Sequence, residues 1–424
     1  PFGKGECVNH VALEYLTAIV SVSDDGGSSG KLIDEFGVLP PGDIRNCLVA
    51  LSDEAKIMAK LFEYRFEGDG SFAGHSMGNL LLCALSKLHH DSFPKAIRVA
   101  SDVLSVKGKI LPATLEGTLL CAELDDGEVI RGESLIPKRG NREPIKRVYL
   151  EPRTNGNGMR NAELRTPNSE FRCEALDEAV EAIEQADAII IGPGSLYTSI
   201  IPNLLVKGIA EALKSSNATK VYVCNVMNEP GETDNYSISD YVRAILDHAN
   251  FKLDYVLANN GLARQEIIEQ YIREQLSEQF GGIMQYASEA IETLQTLPSE
   301  GNADFEQLST ISARIRALSN TIGLVNSANG VQVLFDAKRD NLENINLQEE
   351  DMLSEVDIIE RGVHKTVLRH HPEKLAHALI KLLAFENENT KIMKIREVEQ
   401  TEADVQPLQN VYQLAAVQNS LTNE

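Results

Sequence analysis

The 424-residue sequence has no apolar run long enough to cross a bilayer. AIIIG and NLLLCAL, among its longest, fall well short of the roughly 20 residues a spanning helix needs. PFGKGECVNH carries neither the charged nor the apolar segment of a signal peptide, so no secretory leader is expected in it. No Met opens the chain, so we expect a fragment or a processed product. Positive charge is scarce: 40 Lys and Arg against 63 Asp and Glu leave a net charge of −23, which argues against nonspecific binding to nucleic acid phosphates. The six cysteines (Cys7, Cys47, Cys83, Cys121, Cys173 and Cys224) include no C-x-x-C, so zinc ribbons and thioredoxin-like redox pairs have no support. Most lie in apolar runs, read as small buried hydrophobes, and fit a reducing cytoplasm.

What is present describes a soluble globular chain, 43% hydrophobic and 24% charged, long enough for one large domain or two or three ordinary ones. Its acids are unevenly spread. Asp340 to Glu360 holds eight acids and no base, and reads as a solvated face or loop rather than an interaction tail.

TAIVSVS is β-branched and apolar and predicts a buried strand, followed by the polar turn SDDGGSSG and a short helix over KLIDEFG. From Asp43 to Leu88 three segments carry apolar residues at helical spacing. LEGTLLCAELDDGEVIRGES predicts a hairpin around Asp-Asp-Gly, with IKRVYLEP as a further strand. From Cys173 helix and strand alternate: EALDEAVEAIEQA, ADAIIIG, LLVKGIAEALKSS, KVYVCNV, SISDYVRAILDHA and LDYVLANN. This rhythm predicts an α/β chain with a doubly wound, mostly parallel sheet whose ligand lies beyond the carboxyl ends of the strands. Residues 275–345, rich in Gln, Ser, Asn and Glu, read as a partly helical insertion. VLRHHPEKLAHALIKLLAF returns to strand and helix, and 386–424 reads as a polar tail.

GHSMG fits G-x-S-x-G, the turn that presents a nucleophilic serine in α/β hydrolases. No strand enters it, since FEGDGSFA precedes, and nothing marks a triad partner among Asp187, Asp234 and His248. A loop feeding a helix start explains it better, with Ser76, Asn79 and backbone N–H groups suited to an anion. SDDGGSSG offers Gly26 and Gly27 for close backbone approach, Ser28 and Ser29 as hydroxyls, and Asp24 and Asp25 for a cation, a ribose or a base edge; read alone it is equally a polar turn. GVLPPGDIRNCL makes Asp43 the N-cap of a helix that holds Arg45 in its first turn, with Asn46 beside it. GPGSLYTSIIPN opens a helix after a strand through Gly192, Gly194 and Ser195, without the Lys-Ser or Lys-Thr of a Walker A loop. NVMNEPGETDNYSISDY starts at Asn225, is polar, holds Glu229, Glu232 and Asp234, and caps a helix at Ser237 or Ser239. Several Gly/Ser/Asn loops thus share the ligand side of one sheet, which points to a nucleotide or sugar phosphate.

AIVSVSDDGGSSGKLIDEFGVLPPGDIRNCLVAL, GHSMGNLLLCAL, IIIGPGSLYTSIIPNLLVKGI and NVMNEPGETDNYSISDYVRAI resemble, in order, the signature blocks of the CofD-like superfamily, and most closely its YvcK or gluconeogenesis-factor branch. The match runs over about residues 15–272 and again over 364–383, so residues 1–385 are expected to form one CofD/YvcK-like domain. The resemblance implies a Rossmann-like fold. It also implies a cytoplasmic regulator of central carbon metabolism, cell-wall synthesis and cell shape that binds UDP-sugars such as UDP-N-acetylglucosamine. Protein partners or a homo-oligomer fit such a role. No catalytic residue and no cofactor is expected on this reading. The other branch implies a 2-phospho-L-lactate transferase acting on a guanylyl carrier with Mg²⁺, which Asp24 and Asp25 would hold. Uridine-sugar binding in the regulator branch implies roles for Tyr271, which would stack on a base or bond a ribose, and for Arg369, which would grip a diphosphate. The family's opening strand and G-G-T-G-type loop have no counterpart in PFGKGECVNHVALEYL. The sheet is therefore expected to lack an interior strand, and a scaffold that binds no ligand becomes a third possibility.

Overall fold

The computed structural model describes residues 15–52, 57–139, 143–153, 173–271, 332–360, 363–390 and 411–414. Strands β1 (Leu16–Val20), β2 (Lys109–Pro112), β6 (Ala188–Ile191), β7 (Thr219–Val223), β8 (Tyr255–Asn259), β9 (Asn346–Glu350) and β12 (Val411–Leu414) form one sheet in the order β2-β1-β12-β6-β7-β8-β9. Every pairing in it is parallel. β3 (Thr118–Leu124), β4 (Val129–Arg131) and β5 (Ile145–Pro152) make a separate antiparallel sheet, and β10 (Leu353–Glu360) pairs with β11 (Val363–His370) as a hairpin.

The helices are α1 (Gly27–Phe36), α2 (Gly42–Ala50), α3 (Ile57–Glu63), α4 (Met77–Leu88), α5 (Phe93–Leu104), α6 (Asp177–Glu184), α7 (Ile201–Leu204), α8 (Ile209–Ser215), α9 (Ile238–His248) and α10 (Pro372–Thr390). The fold is the expected α/β one, with the parallel sheet covered on both faces.

Period-two alternation divides the sheet between two cores. On one face Ile19, Ile189, Ile191, Tyr222 and Val256 pack with α6, α8, α9 and the antiparallel sheet. On the other, Ala18, Val20 and Ile110 pack against α2, α4 and α5, while Ile190, Val221, Val223 and Leu257 meet Ala378 and Leu382 of α10. Burial on both faces explains why the strands read as continuous apolar runs.

The interior position between β1 and β6 is held by β12, from the stretch read as a polar tail. Val411–Leu414 pairs with Leu16–Ile19 on one side and with Ala188–Ile191 on the other. The strand expected to be lacking near the start of the chain therefore has its place in the sheet filled from the other end.

Three local expectations change. Helix α1 begins at Gly27, so Ser28 and Ser29 stand in its first turn rather than in a preceding loop. Helix α2 has Pro41 at its N-cap and Asp43 in its first turn, because Pro-Pro-Gly presets the backbone for an earlier start; Asp43 is not the cap. LLVKGIAEALKSS is broken at Gly208, whose φ of 99° belongs to no helix, and α8 starts at Ile209. The acidic run 340–360, expected as a solvated face or loop, contains the edge strand β9 and the strand β10; charges on an edge discourage pairing with other chains. Residues 275–331 of the expected insertion lie outside the described residues, as does Cys7. The five described cysteines are buried and free of disulfides.

Candidate functional site

All strands of the main sheet run the same way, so the loops after β1, β6, β7 and β8 gather at one end. Between two of them lies a cavity of ≈ 390 Å³, within the ordinary range for a small-molecule site. Asp24, Gly26, Gly27, Ser28 and Ser29 line it from the β1–α1 turn. Asp43, Arg45 and Asn46 come from α2, Asn79 from α4, and Ser195 from the loop after β6. Ten of the residues singled out in the sequence thus meet in one place. The first-turn amides of α1, which helix geometry leaves without intrahelical acceptors, start at this wall.

Two glycines set the packing behind the cavity. A Cβ on Gly42 would stand 2.6 Å from Asp24 Oδ2 and 2.8 Å from Ser29 Oγ. A Cβ on Gly78 would stand 2.6 Å from Phe62 O and 2.8 Å from Arg45 Cγ. The second glycine of GHSMG therefore admits the stem of Arg45 across α4.

Ser76 is the N-cap of α4. Its hydroxyl accepts from Asn79 N at 3.2 Å, it is 0% exposed, and no strand leads into it. His248, a possible triad member, has both ring nitrogens engaged: Nε2 accepts from Val148 N at 2.9 Å, and Nδ1 lies 2.6 Å from Ala244 O. GHSMG is a helix start, not a nucleophile elbow. Ser76→Ala is expected to cost about 1 kcal/mol of stability, the usual worth of a cap, and to weaken ligand binding modestly through Asn79. A fluorophosphonate probe is expected to leave Ser76 unmodified; labelling there would overturn this reading.

The cavity is electrostatically divided. Burial, with repulsion from Asp24, pushes the Asp43 carboxyl up to about 7, and Arg45 opposes. Burial, then Asp24 and Asp43, push Glu133 up to about 9. Burial raises Asp24 as well, against hydrogen bonds from Ser29 and from Gly26 N–H. Arg45 is itself buried, and burial lowers its pKa while the Asp43, Glu63 and Asp24 carboxylates raise it. Beside these stand Arg65, Lys138 and Ser199.

Glu133, Ser134, Pro137 and Lys138 form a wall that the sequence reading missed. They follow the β3–β4 hairpin, and only their tertiary placement brings them here. Asp25 holds that wall: its carboxylate accepts from Ser134 N at 2.9 Å and Glu133 N at 3.2 Å. Asp25 is thus committed to the 133–135 turn, whereas Asp24 turns into the cavity. Among the described residues no three His, Cys, Asp or Glu side chains are grouped to hold a metal ion. Of the Asp24–Asp25 pair, Asp24 is the carboxyl that faces the cavity, and Asp25 is the one held by the 133–135 turn.

Glu232, one of the acids of the polar loop after β7, links two loops in a way its sequence position does not reveal. It is buried and ties the loop after β6 to the loop after β7, accepting from Thr198 Oγ1 at 2.9 Å and Tyr197 N at 3.2 Å. Burial and Glu229 push it up to about 8 from an ordinary 4.5. The folded state therefore keeps a proton that the unfolded chain releases above about 4.5. Its contribution to stability is complete below that pH and is lost as pH rises through about 8. Glu232→Gln is expected to flatten this decline, so that the melting temperature of the variant gains on the wild type between pH 5 and pH 8. An unchanged gap across that range would show that Glu232 is not the titrating group.

The remaining expected residues lie beside the cavity rather than in it. Gly192 takes φ 80°, and the Gly194 carbonyl accepts from Asn225 Nδ2 at 3.0 Å, which joins the loops after β6 and β7. Tyr271 packs against Val226, Met227, Ile267 and Leu368, and its hydroxyl accepts from Leu368 N at 2.8 Å. Arg369 adjoins it on β11, half-buried, its pKa lowered by burial and raised by Tyr271. His370 Nε2 lies 3.1 Å from Cys224 O, so this end of β11 sits on the loop after β7. Tyr271 and Arg369 are thus brought together across the insertion, next to Asn225.

A model of the family described as 2-phospho-L-lactate transferase CofD matches residues 6–295. The gluconeogenesis factor of Halalkalibacterium halodurans is 45% identical over 260 residues, which are 61% of this chain and 74% of that protein. A relative from Clostridium acetobutylicum is 46% identical over 262 residues, and there the chain spans only 54% of the relative's length. A crystal structure of a Bacillus halodurans protein superimposes with a TM-score of 0.61 at 34% identity, covering 89% of this chain and 96% of that one.

Proposed function

The chain belongs to the CofD family, among the relatives named gluconeogenesis factor, and from that premise we propose that it is a cytoplasmic regulator that binds a UDP-sugar such as UDP-N-acetylglucosamine. One observation supports this most: Gly/Ser turns after β1 and β6 and the first turns of α1 and α2 converge on one cavity at the carboxyl end of a parallel sheet. Tyr271 and Arg369, one loop away, would receive the nucleotide, the ring as a stacking surface and the guanidinium as a fork for phosphate oxygens. Ser28 Oγ lies 3.0 Å from His75 Nδ1, but among the described residues no carboxylate is hydrogen-bonded to that ring, so the site holds no complete nucleophile–base–acid triad. A sensor that reports a nucleotide sugar to carbon metabolism and cell-wall synthesis needs none. No helix of the described residues is long and apolar enough to cross a membrane.

The family description favours a second reading, 2-phospho-L-lactate transfer, for which the resemblance implies a guanylyl carrier as donor. The two differ in their need for metal. Equilibrium dialysis with UDP-N-acetylglucosamine is expected to give the same saturable binding in Mg²⁺ and in EDTA. Absence of binding in both, with metal-dependent retention of a guanylyl donor, would move the assignment to the transferase.

A further inference from the structure

Asn79 is 3% exposed and lines the cavity, yet its Oδ1 has no partner within the protein. Its Nδ2 donates to Ser28 Oγ at 3.2 Å, and Ser28 Oγ lies 3.0 Å from His75 Nδ1. His75 is buried, and burial lowers its pKa, which favours a neutral ring. With the ring proton on Nε2, donors run from Asn79 through Ser28 to His75, and Ser28 turns only a lone pair to the cavity. An orphaned buried acceptor is costly unless a ligand supplies the donor.

Asp24, Asp43 and Glu133 stand close enough to repel one another, and each lines the same cavity. Together with Asn79 Oδ1 and Ser28 they make a corner rich in acceptors, in which Glu133, pushed up to about 9, keeps its proton at neutral pH and can donate as well. A phosphate set against it meets the repulsion of Asp24 and Asp43 in their ionised forms. A group that presents several hydroxyl donors meets partners for each. Arg65, Lys138 and Ser199 line the same cavity and carry groups that can donate to phosphate oxygens.

We propose that the corner made by Asp24, Asp43, Asn79 and Glu133 is a polyol subsite that takes the sugar ring of a nucleotide sugar through its hydroxyl protons. This rests on the UDP-sugar reading above. The sugar, rather than the nucleotide, then decides which ligand the protein senses, because a buried site built to accept hydroxyl protons discriminates strongly against a ligand without them.

The test compares UDP-N-acetylglucosamine with UDP, which lacks the sugar, on the wild type, Asp43→Asn and Asn79→Ala, all in EDTA. Thermal melts confirm that each variant is folded, and Asp43→Asn, nearly isosteric, guards against a variant that fails to fold. The wild type is expected to prefer UDP-N-acetylglucosamine about tenfold or more. Both substitutions are expected to shrink that ratio towards one and to leave UDP affinity within about threefold. Ratios unchanged in both variants would overturn the subsite, as would a loss of UDP affinity at constant ratio, which would assign the corner to phosphate. A preference that appears only with added Mg²⁺ would assign it to a cation and overturn it as well. Wild type that binds UDP without preferring the sugar form refutes the subsite alone; wild type that binds neither refutes the UDP-sugar reading with it.

Discussion

A chain ending at residue 410 is expected to lose its cooperative thermal transition and to self-associate. Removing Val411–Leu414 takes away the strand that bridges β1 and β6, leaving two facing rows of unpaired backbone N–H and C=O groups in the middle of the sheet. Unpaired buried peptide groups cost free energy comparable to lost hydrogen bonds, and open apolar strand edges recruit other chains. Both cores meet on these strands, since Ile19 and Ile189 pack to one side and Ala18 and Ile190 to the other. Gln413→Pro in the whole chain is the finer test. Gln413 pairs with Ala18 and with Ile190, so proline there strikes an interior ladder where its missing N–H is least tolerated. A loss of about 3 kcal/mol is expected, the scale of proline inside a regular element. Differential scanning calorimetry reads both. A truncated chain that melts as a monomer within about 2 °C of the whole one would contradict the placement of β12.

Arg369→Ala is expected to weaken UDP-N-acetylglucosamine binding by about ten- to a hundredfold, the worth of a charge-assisted hydrogen bond or two to phosphate. Tyr271 separates two roles. Its hydroxyl already accepts from Leu368 N, so Tyr271→Phe leaves that N–H without its acceptor and is expected to cost about 1–3 kcal/mol of stability while binding largely survives. Tyr271→Ala removes the ring and is expected to reduce binding at least as much as Arg369→Ala. Isothermal titration gives the affinities, and urea unfolding gives the stabilities. Equal loss of binding in Tyr271→Phe and Tyr271→Ala would mean that the hydroxyl, not the ring, meets the ligand.

The sequence made the sheet legible because buried parallel strands such as AIIIG and KVYVCNV cannot hide their composition, and α9 announces itself through the Ser237 capping box. It also made half of the site legible, because the close approach at Gly42 and the turns around Ser28 and Ser195 need residue types that stand out locally. Glu133 and Lys138 gave no such signal. A Glu after a hairpin is ordinary until the fold sets it against Asp24 and Asp43. Glu232 showed only as one acid among several in a polar loop, with nothing local to mark its burial. β12 was unreadable for a different reason: VYQL becomes an interior strand only because β1 and β6 offer it two edges, and nothing local distinguishes it from the polar residues around it.

The central claim is that this chain binds a UDP-sugar without metal. Calorimetric titration of the wild type with UDP-N-acetylglucosamine in EDTA, beside Arg369→Ala, tests it most directly. Saturable binding to one site per chain is expected in the wild type, with clear weakening in the variant. No heat at any concentration from a protein that melts cooperatively, or equal affinity in both proteins, would contradict it.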